Sequence, residues 1–410
     1  MVLVLVVSLF KATFVYVAFL MGAGILLLVP VKEVFSILLF LFSFATVFKP
    51  ASGSTSFFTY LELVAILRLL VKSRTADGVF LVILSLLTAE VMLGCSSMLV
   101  VAKLLIVLVL YYLFTVSYQT EYGGRYFWFF FSGLTCSTTI GIFKERIPRL
   151  LSLYEDLNYE RISGELHLRF SGMFGDPNYF SIPVVLCIIV FFTAVFQQKK
   201  LNYKWLLCLA ALLAAGAATI SKSFFLMCGG VIFAVAVSNR KAVGKKILVA
   251  AALIVIVFIN PGDFISNIAY RFSNYSLTTG RMEIWRNYIA AITKSAKSFA
   301  IGYGLDAALL GRAQHSIVLE TLYSIGLFGA LLYVSSIFYV TKRRSLPIKR
   351  KLPSYLGYMT VSLQYLFLNG LTAFEMPFYL MICFIIFNND YAQGDTIVSG
   401  SKAKGMKAVE

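Results

Sequence analysis

Long apolar runs recur along this chain, separated by short polar stretches. They lie near residues 12–29, 33–48, 56–71, 78–94, 97–117, 124–143, 179–196, 205–219, 223–239, 247–260, 317–341, 353–369 and 376–387. Many approach the ~17–25 residues that carry a helix across a bilayer. The pattern predicts an all-α, polytopic integral membrane protein with about twelve transmembrane helices. Two counts stand, twelve or thirteen, because the run at 56–71 carries Glu62 and Arg68. As a span it places the N-terminus outside; as an interfacial helix it leaves twelve spans and the N-terminus inside.

The connections set the topology. "QQKKLNYK" (197–204), "NRKAVGKK" (239–246) and "KRRSLPIKRK" (342–351) are basic, free of acids, and each joins two apolar runs. The tail adds Lys402, Lys404 and Lys407. Short Lys/Arg-rich loops stay on the cytoplasmic side, so these segments mark one membrane face. Each interval between them holds an even number of crossings. The expected organisation is therefore N-terminal helices over 1–143, a first outer loop at 144–178, central helices over 179–260, a large outer loop at 261–316, C-terminal helices over 317–387 and a cytoplasmic tail at 388–410. The start "MVLVLVVSLFKATF" lacks a basic n-region and a small-residue cleavage site, and reads as the first membrane helix.

Composition agrees with this class. The chain is 60% hydrophobic and 13% charged, against roughly half and a quarter for soluble domains. A formal net charge of +17 would suit nucleic acid, but its concentration in loops between apolar runs points to topology and to anionic headgroups of membrane lipids. No nucleic-acid partner is expected. Six scattered cysteines without a C-x-x-C pair give no support to metal or redox chemistry.

Candidate chemistry gathers in the two outer segments. The second holds Arg271, Arg281, Arg286, Lys294, Lys297 and Arg312 with few acids. An outward basic surface suits an anionic substrate, and the guanidinium fork suits phosphate. In "LRFSGMFGDPNYF" (168–180), Arg169 stands some eight residues ahead of a spanning run, at the height of a lipid-linked phosphate, while 175–178 reads as a helix start capped by Asn178. "TTGRMEIWRNYIAAITKSA" (278–296) reads as an amphipathic helix with an apolar stripe of Ile284, Trp285, Tyr288, Ile289 and Ile292. Either it rests on the bilayer, or it presents Arg281 to a pocket. "TISKSF" (219–224) puts Ser221 and Lys222 at an outer hairpin turn, where Lys222 snorkels or lines a cavity. "GRAQHSIVLETLYSIGLFG" (311–329) places His315, one of only two histidines, at the outer mouth of a long apolar helix. A near-neutral imidazole there can take a proton from a hydroxyl. Glu320 follows at i+5, off the face of His315. The other histidine, His167, lies in the first outer loop with no assigned role.

In order, these pieces resemble the bacterial O-antigen ligase and O-antigen/capsule polymerase family over roughly residues 165–387. The resemblance rests on Arg169, Gly172, Pro177 and Asn178; on Ser221 and Lys222; on Gly280, Arg281 and Trp285; on Gly302 and Gly304; and on His315, Leu319, Glu320, Gly326 and Gly329. Two positions depart from it: Ser316 stands where the family has Asn, and Lys222 where arginine is usual. The resemblance implies glycan transfer from an undecaprenyl-diphosphate donor to a sugar hydroxyl at the outer face of the bacterial cytoplasmic membrane, without metal or cofactor. His315 would assist deprotonation of the acceptor, with Arg169 and Arg281 holding the diphosphate. Lys222, Glu320, Trp285, Arg286 and Arg271 would bind substrate. A chain-length regulator and a flippase are the implied partners. Three readings follow: a repeat-unit polymerase, favoured because only the histidine of the His–Asn pair is present; a ligase delivering the finished chain to lipid A core or another acceptor; and, from a different class, a polysaccharide flippase.

Overall fold

The computed structural model describes residues 7–51, 54–72, 77–94, 97–143, 146–154, 159–162, 165–196, 203–238, 281–305, 314–345 and 352–388. The run at 247–260, Arg271, Gly280, Arg312 and the tail from 389 lie outside the described residues. Within them, the apolar runs are helices: α1 (Thr13–Leu28), α2 (Val31–Leu41) continued by a 3₁₀ segment (Phe42–Phe48), α3 (Phe58–Lys72), α4 (Gly78–Gly94), α5 (Met98–Ser117) and α6 (Thr120–Gly141). After a short α7 (Pro148–Tyr154) come α8 (Pro177–Phe196), α9 (Tyr203–Ala217) and α10 (Lys222–Ser238). Beyond the second gap lie α11 (Arg281–Ile292), α12 (Ala296–Ile301), α13 (Ile317–Arg344), α14 (Leu352–Tyr365) and α15 (Met376–Asn388).

Val31–Phe48, Met98–Ser117 and Ile317–Arg343 are long and apolar enough to cross a membrane, and shorter apolar helices pack beside them. Phe328, Leu331, Val334 and Phe338 make an outward stripe on α13, and each is more than half exposed. A protein in water rarely leaves such a face uncovered; a bilayer covers it. The chain is a helical membrane protein.

One departure from the all-α expectation is local. Tyr159–Ile162 (β1) and Glu165–Leu168 (β2) pair antiparallel, Tyr159 opposite Leu168, so the described part of 144–178 contains a short helix and a strand pair.

At the centre stands α15, buried at every residue from Met376 to Asn388. Its Phe378 and Tyr379 meet Phe42, which also stacks on Phe130. An interior helix has no polar face to spare, which explains why its sequence is apolar all round. The run at 56–71 forms α3 and packs against the end of α1. Glu62 is buried in α3, and Arg68 donates to the carbonyls of Leu26 and Val29 at the end of α1.

Side-chain bridges define two ends of the bundle. At one, Glu33 pairs with Arg125 at 2.8 Å and Asp77 with Arg343 at 3.1 Å. At the other, Arg149 donates to the carbonyls of Val47 and Lys49, and Tyr179 to that of Asn369.

Near that second end α13 is broken. Gly326 takes φ 59° and ψ −171°, interrupting the hydrogen-bond ladder. The carbonyls released, of Tyr323 and Ser324, accept the N–H groups of Tyr303 (2.7 Å) and Gly304 (2.8 Å). The Gly-x-Gly at 302–304 is thus a backbone plug for a helix break. A Cβ on Gly302 would lie 2.6 Å from the Gly326 nitrogen, and one on Gly326 would strike the Ala300 carbonyl. Gly326→Ala combines backbone overlap with a left-handed φ, together worth about 2–5 kcal/mol. The variant is expected to lose most of its folded yield, read as the thermal midpoint and monodisperse fraction in detergent.

Candidate active site

The site is assembled at the second end from four stretches. The first is the start of α8. Pro177 opens the helix and Asp176 caps it: its Oδ1 accepts the Asn178 N–H at 2.6 Å. Asn178, expected as the cap, is therefore released for other work. Its Oδ1 accepts from Arg169 Nη2 at 3.4 Å and from Ser221 Oγ at 2.8 Å. Arg169 also donates through Nε to the Thr219 carbonyl at 2.9 Å. It is buried, because residues 169–170 lie against the α9–α10 turn, where the Phe170 N–H donates to the Ala218 carbonyl.

The second stretch is that turn. Ile220 has φ 49°, uncommon for a β-branched residue, and it directs the buried Ser221 toward Asn178 and Ser223. Lys222 opens α10 partly buried.

The third and fourth meet each other. Arg281, first residue of α11, donates through Nη1 to the Phe367 carbonyl at 2.8 Å. Trp285 donates through its indole N–H to the Gln314 carbonyl at 3.1 Å, and its ring lies 6.0 Å from that of Phe367. Gln314 in turn accepts from Asn369 Nδ2 at 3.2 Å. His315 follows with φ 51°. Among the described residues only Ile220 and His315 are non-glycines with positive φ, and both border this cluster. Such conformations cost about 1–3 kcal/mol and gather at functional sites.

Glu320 does not pair with His315. Its Oε2 accepts the backbone N–H groups of Gly370 (2.7 Å) and Leu371 (3.2 Å), tying the α14–α15 connection to α13. These bonds give Glu320 a structural contact. Glu320→Leu leaves two buried N–H groups unpaired at about 1–3 kcal/mol each. Its thermal midpoint is expected to fall well below that of Glu320→Gln, which keeps an acceptor oxygen.

Charge at the site is mainly positive. Burial lowers the Arg169 and Arg281 guanidinium pKa values; Asp176 opposes this for both, and Arg169 lowers Arg281 further. For His315, burial and then the Arg281 charge lower the pKa, with Asp176 opposing. Held below its ordinary value near 6.5, the imidazole is neutral at physiological pH and able to accept a proton. Arg281 is thus within electrostatic reach of both Arg169, 112 residues before it, and His315, 34 residues after it. The long stripe expected on 278–296 is divided: Tyr288 and Ile292 pack on Tyr323, whereas Ile289 faces outward. Arg286 is exposed on the same outward side.

Sequence reasoning passed over Asp176, Gln314, Gln364 and Asn369. Gln364 Nε2 donates to the Asn178 carbonyl at 3.1 Å, so it belongs to the network. A signal existed: Gln364 and Asn369 are amides inside an apolar run, and polar residues at membrane depth mark functional positions. The class defined by fold and site is a helical membrane protein with a basic, histidine-bearing polar cluster at one end. Protein-family models, curated proteins and solved structures contain no match to this chain.

Proposed function

We propose that the chain is a membrane glycosyltransferase that polymerises undecaprenyl-diphosphate-linked repeat units into O-antigen or capsular polysaccharide. The observation that carries this reading is the convergence of Arg169, Arg281 and a neutral His315 at one end of the bundle. The basic 342–345 segment lies at the opposite end, beside Asp77. Under the positive-inside bias, that end faces the cytoplasm and the site faces outward, in the bacterial inner membrane.

In this mechanism the acceptor hydroxyl attacks the anomeric carbon of the donor. Its proton passes to His315, and the carbon–oxygen bond to the lipid diphosphate breaks with its electron pair leaving on the diphosphate. Arg281 meets the departing charge, and the more deeply buried Arg169 supports it from behind. In many such reactions, preorganised groups that stabilise developing charge contribute more to the rate than any other effect. No metal or cofactor is required for these steps. A ligase would use the same chemistry on a different acceptor. The broken α13 would favour a flippase if its freed carbonyls lined a passage, but Tyr303 and Gly304 occupy them.

The test is the lipid-linked glycan population of cells lacking this protein. Single repeat units accumulating at the outer face, without long chains, support the polymerase. Long chains retained on the carrier lipid indicate the ligase. Repeat units trapped on the cytoplasmic face indicate the flippase.

A further inference from the structure

A polar hollow opens at the same end of the bundle, across the α14–α15 connection from the site. It is a cavity of about 200 Å³ between the start of α3, the first turns of α5 and residues 372–377. Its walls carry Lys49, Lys103, Glu62, Thr59, Ser54 and Thr372. Phe374, Pro377 and Ile106 supply apolar surface beside them. Glu62 is 1% exposed, and its Oε1 is buried without a hydrogen-bond partner. Native structures rarely leave such an oxygen unmet without a reason. Glu375, raised to about 7 by burial, senses both Lys49 and Asp176, so the hollow and the site are neighbours.

The lining decides what fits. Lysines only donate, the buried Glu62 carboxyl presents an unmet Oε1 that accepts, and serine and threonine hydroxyls do both. An inorganic anion would accept from Lys49 and Lys103 but leave the Glu62 Oε1 without a donor; a cation would be opposed by both lysines. A ring of hydroxyl groups meets all of them, accepting from the lysines and donating to Glu62, while its C–H face rests on Phe374 and Pro377. We propose that this hollow is a carbohydrate subsite that takes one sugar ring. The proposal deepens the glycan reading above by giving the sugar a place beside the reacting groups.

The experiment uses the full chain in lipid nanodiscs and saturation-transfer NMR with glucose, galactose, N-acetylglucosamine and glucuronate, with sodium phosphate as a competitor. At least one sugar is expected to bind. Lys103→Met and Glu62→Leu each remove a hydrogen-bonding group from the wall and are expected to weaken it about ten- to hundredfold. Lys103 is partly exposed and its variant keeps the measurement readable if Glu62→Leu fails to fold. Binding of none of the sugars overturns the proposal, as does sugar binding that both folded variants retain, or displacement of the sugar by phosphate. The two readings fail separately. Sugar binding here with no accumulation of repeat units in deletion cells would remove the polymerase and leave the subsite; accumulation without sugar binding would do the opposite.

Discussion

Replacing His315 by glycine is expected to cut chain extension by about 10²–10⁴-fold, the usual worth of a positioned general base, while leaving the protein as stable as before. The second half of that expectation comes from the backbone. His315 sits at φ 51°, where an L-residue loses roughly 1–2 kcal/mol that glycine does not. Glycine's greater freedom in the unfolded chain costs about 0.5–1 kcal/mol, which largely offsets the gain. A residue present only to shape the turn would therefore be replaced by glycine without loss of activity. The measurement is the rate of polymer formation from purified lipid-linked repeat units, with the thermal midpoint recorded alongside. Polymer at the normal rate from His315→Gly would remove the histidine from the reaction.

Arg281→Ala carries the second large effect, a fall of about 10²–10³-fold together with a displaced pH profile. The sign follows from the site. Arg281 and burial both hold the His315 pKa below its ordinary value, so activity that needs neutral imidazole is lost only as pH falls through that lowered value. Removing the Arg281 charge raises the histidine pKa, and the acid limb of the profile moves to higher pH. Asp176→Asn removes an influence that raises it, and the limb moves to lower pH. Arg281→Lys keeps the charge but loses the planar fork; the rate should drop while the limb stays near its original position. An acid limb that is the same in all these variants would show that His315 is not the titrating group.

Much of the helical framework was legible because its physics is local. A run of apolar residues such as 98–117 makes a helix whatever its neighbours are, since only a helix satisfies its own backbone away from water. Basic connections such as 342–351 also carry their meaning within a few residues. Parts of the site were legible for the same reason: rare ionisable groups beside apolar runs, His315 and Arg281 among them, stand out without any knowledge of the fold.

Other features depended on distant partners. Asn178 looked like a cap because asparagine often is one. Asp176 takes that role, and the partners that give Asn178 another, Ser221 and Gln364, lie 43 and 186 residues away. The spacing of Glu320 put it off the face of His315 but could not name its partners, the N–H groups of Gly370 and Leu371. That Arg169 is buried could not be read from its neighbours, because the turn that covers it arrives from residues 218–221.

By itself the sequence determined that this is a chain of apolar helices with charge gathered between them, and which few residues could carry acid–base or phosphate chemistry. The tertiary structure decided which of those residues meet, where α13 breaks, and that a polar hollow lies beside the site. The division is physical. Helix formation and hydrophobic partition are set by neighbours along the chain, whereas burial, hydrogen-bond partners and the electrostatic setting of an imidazole are set by neighbours in space.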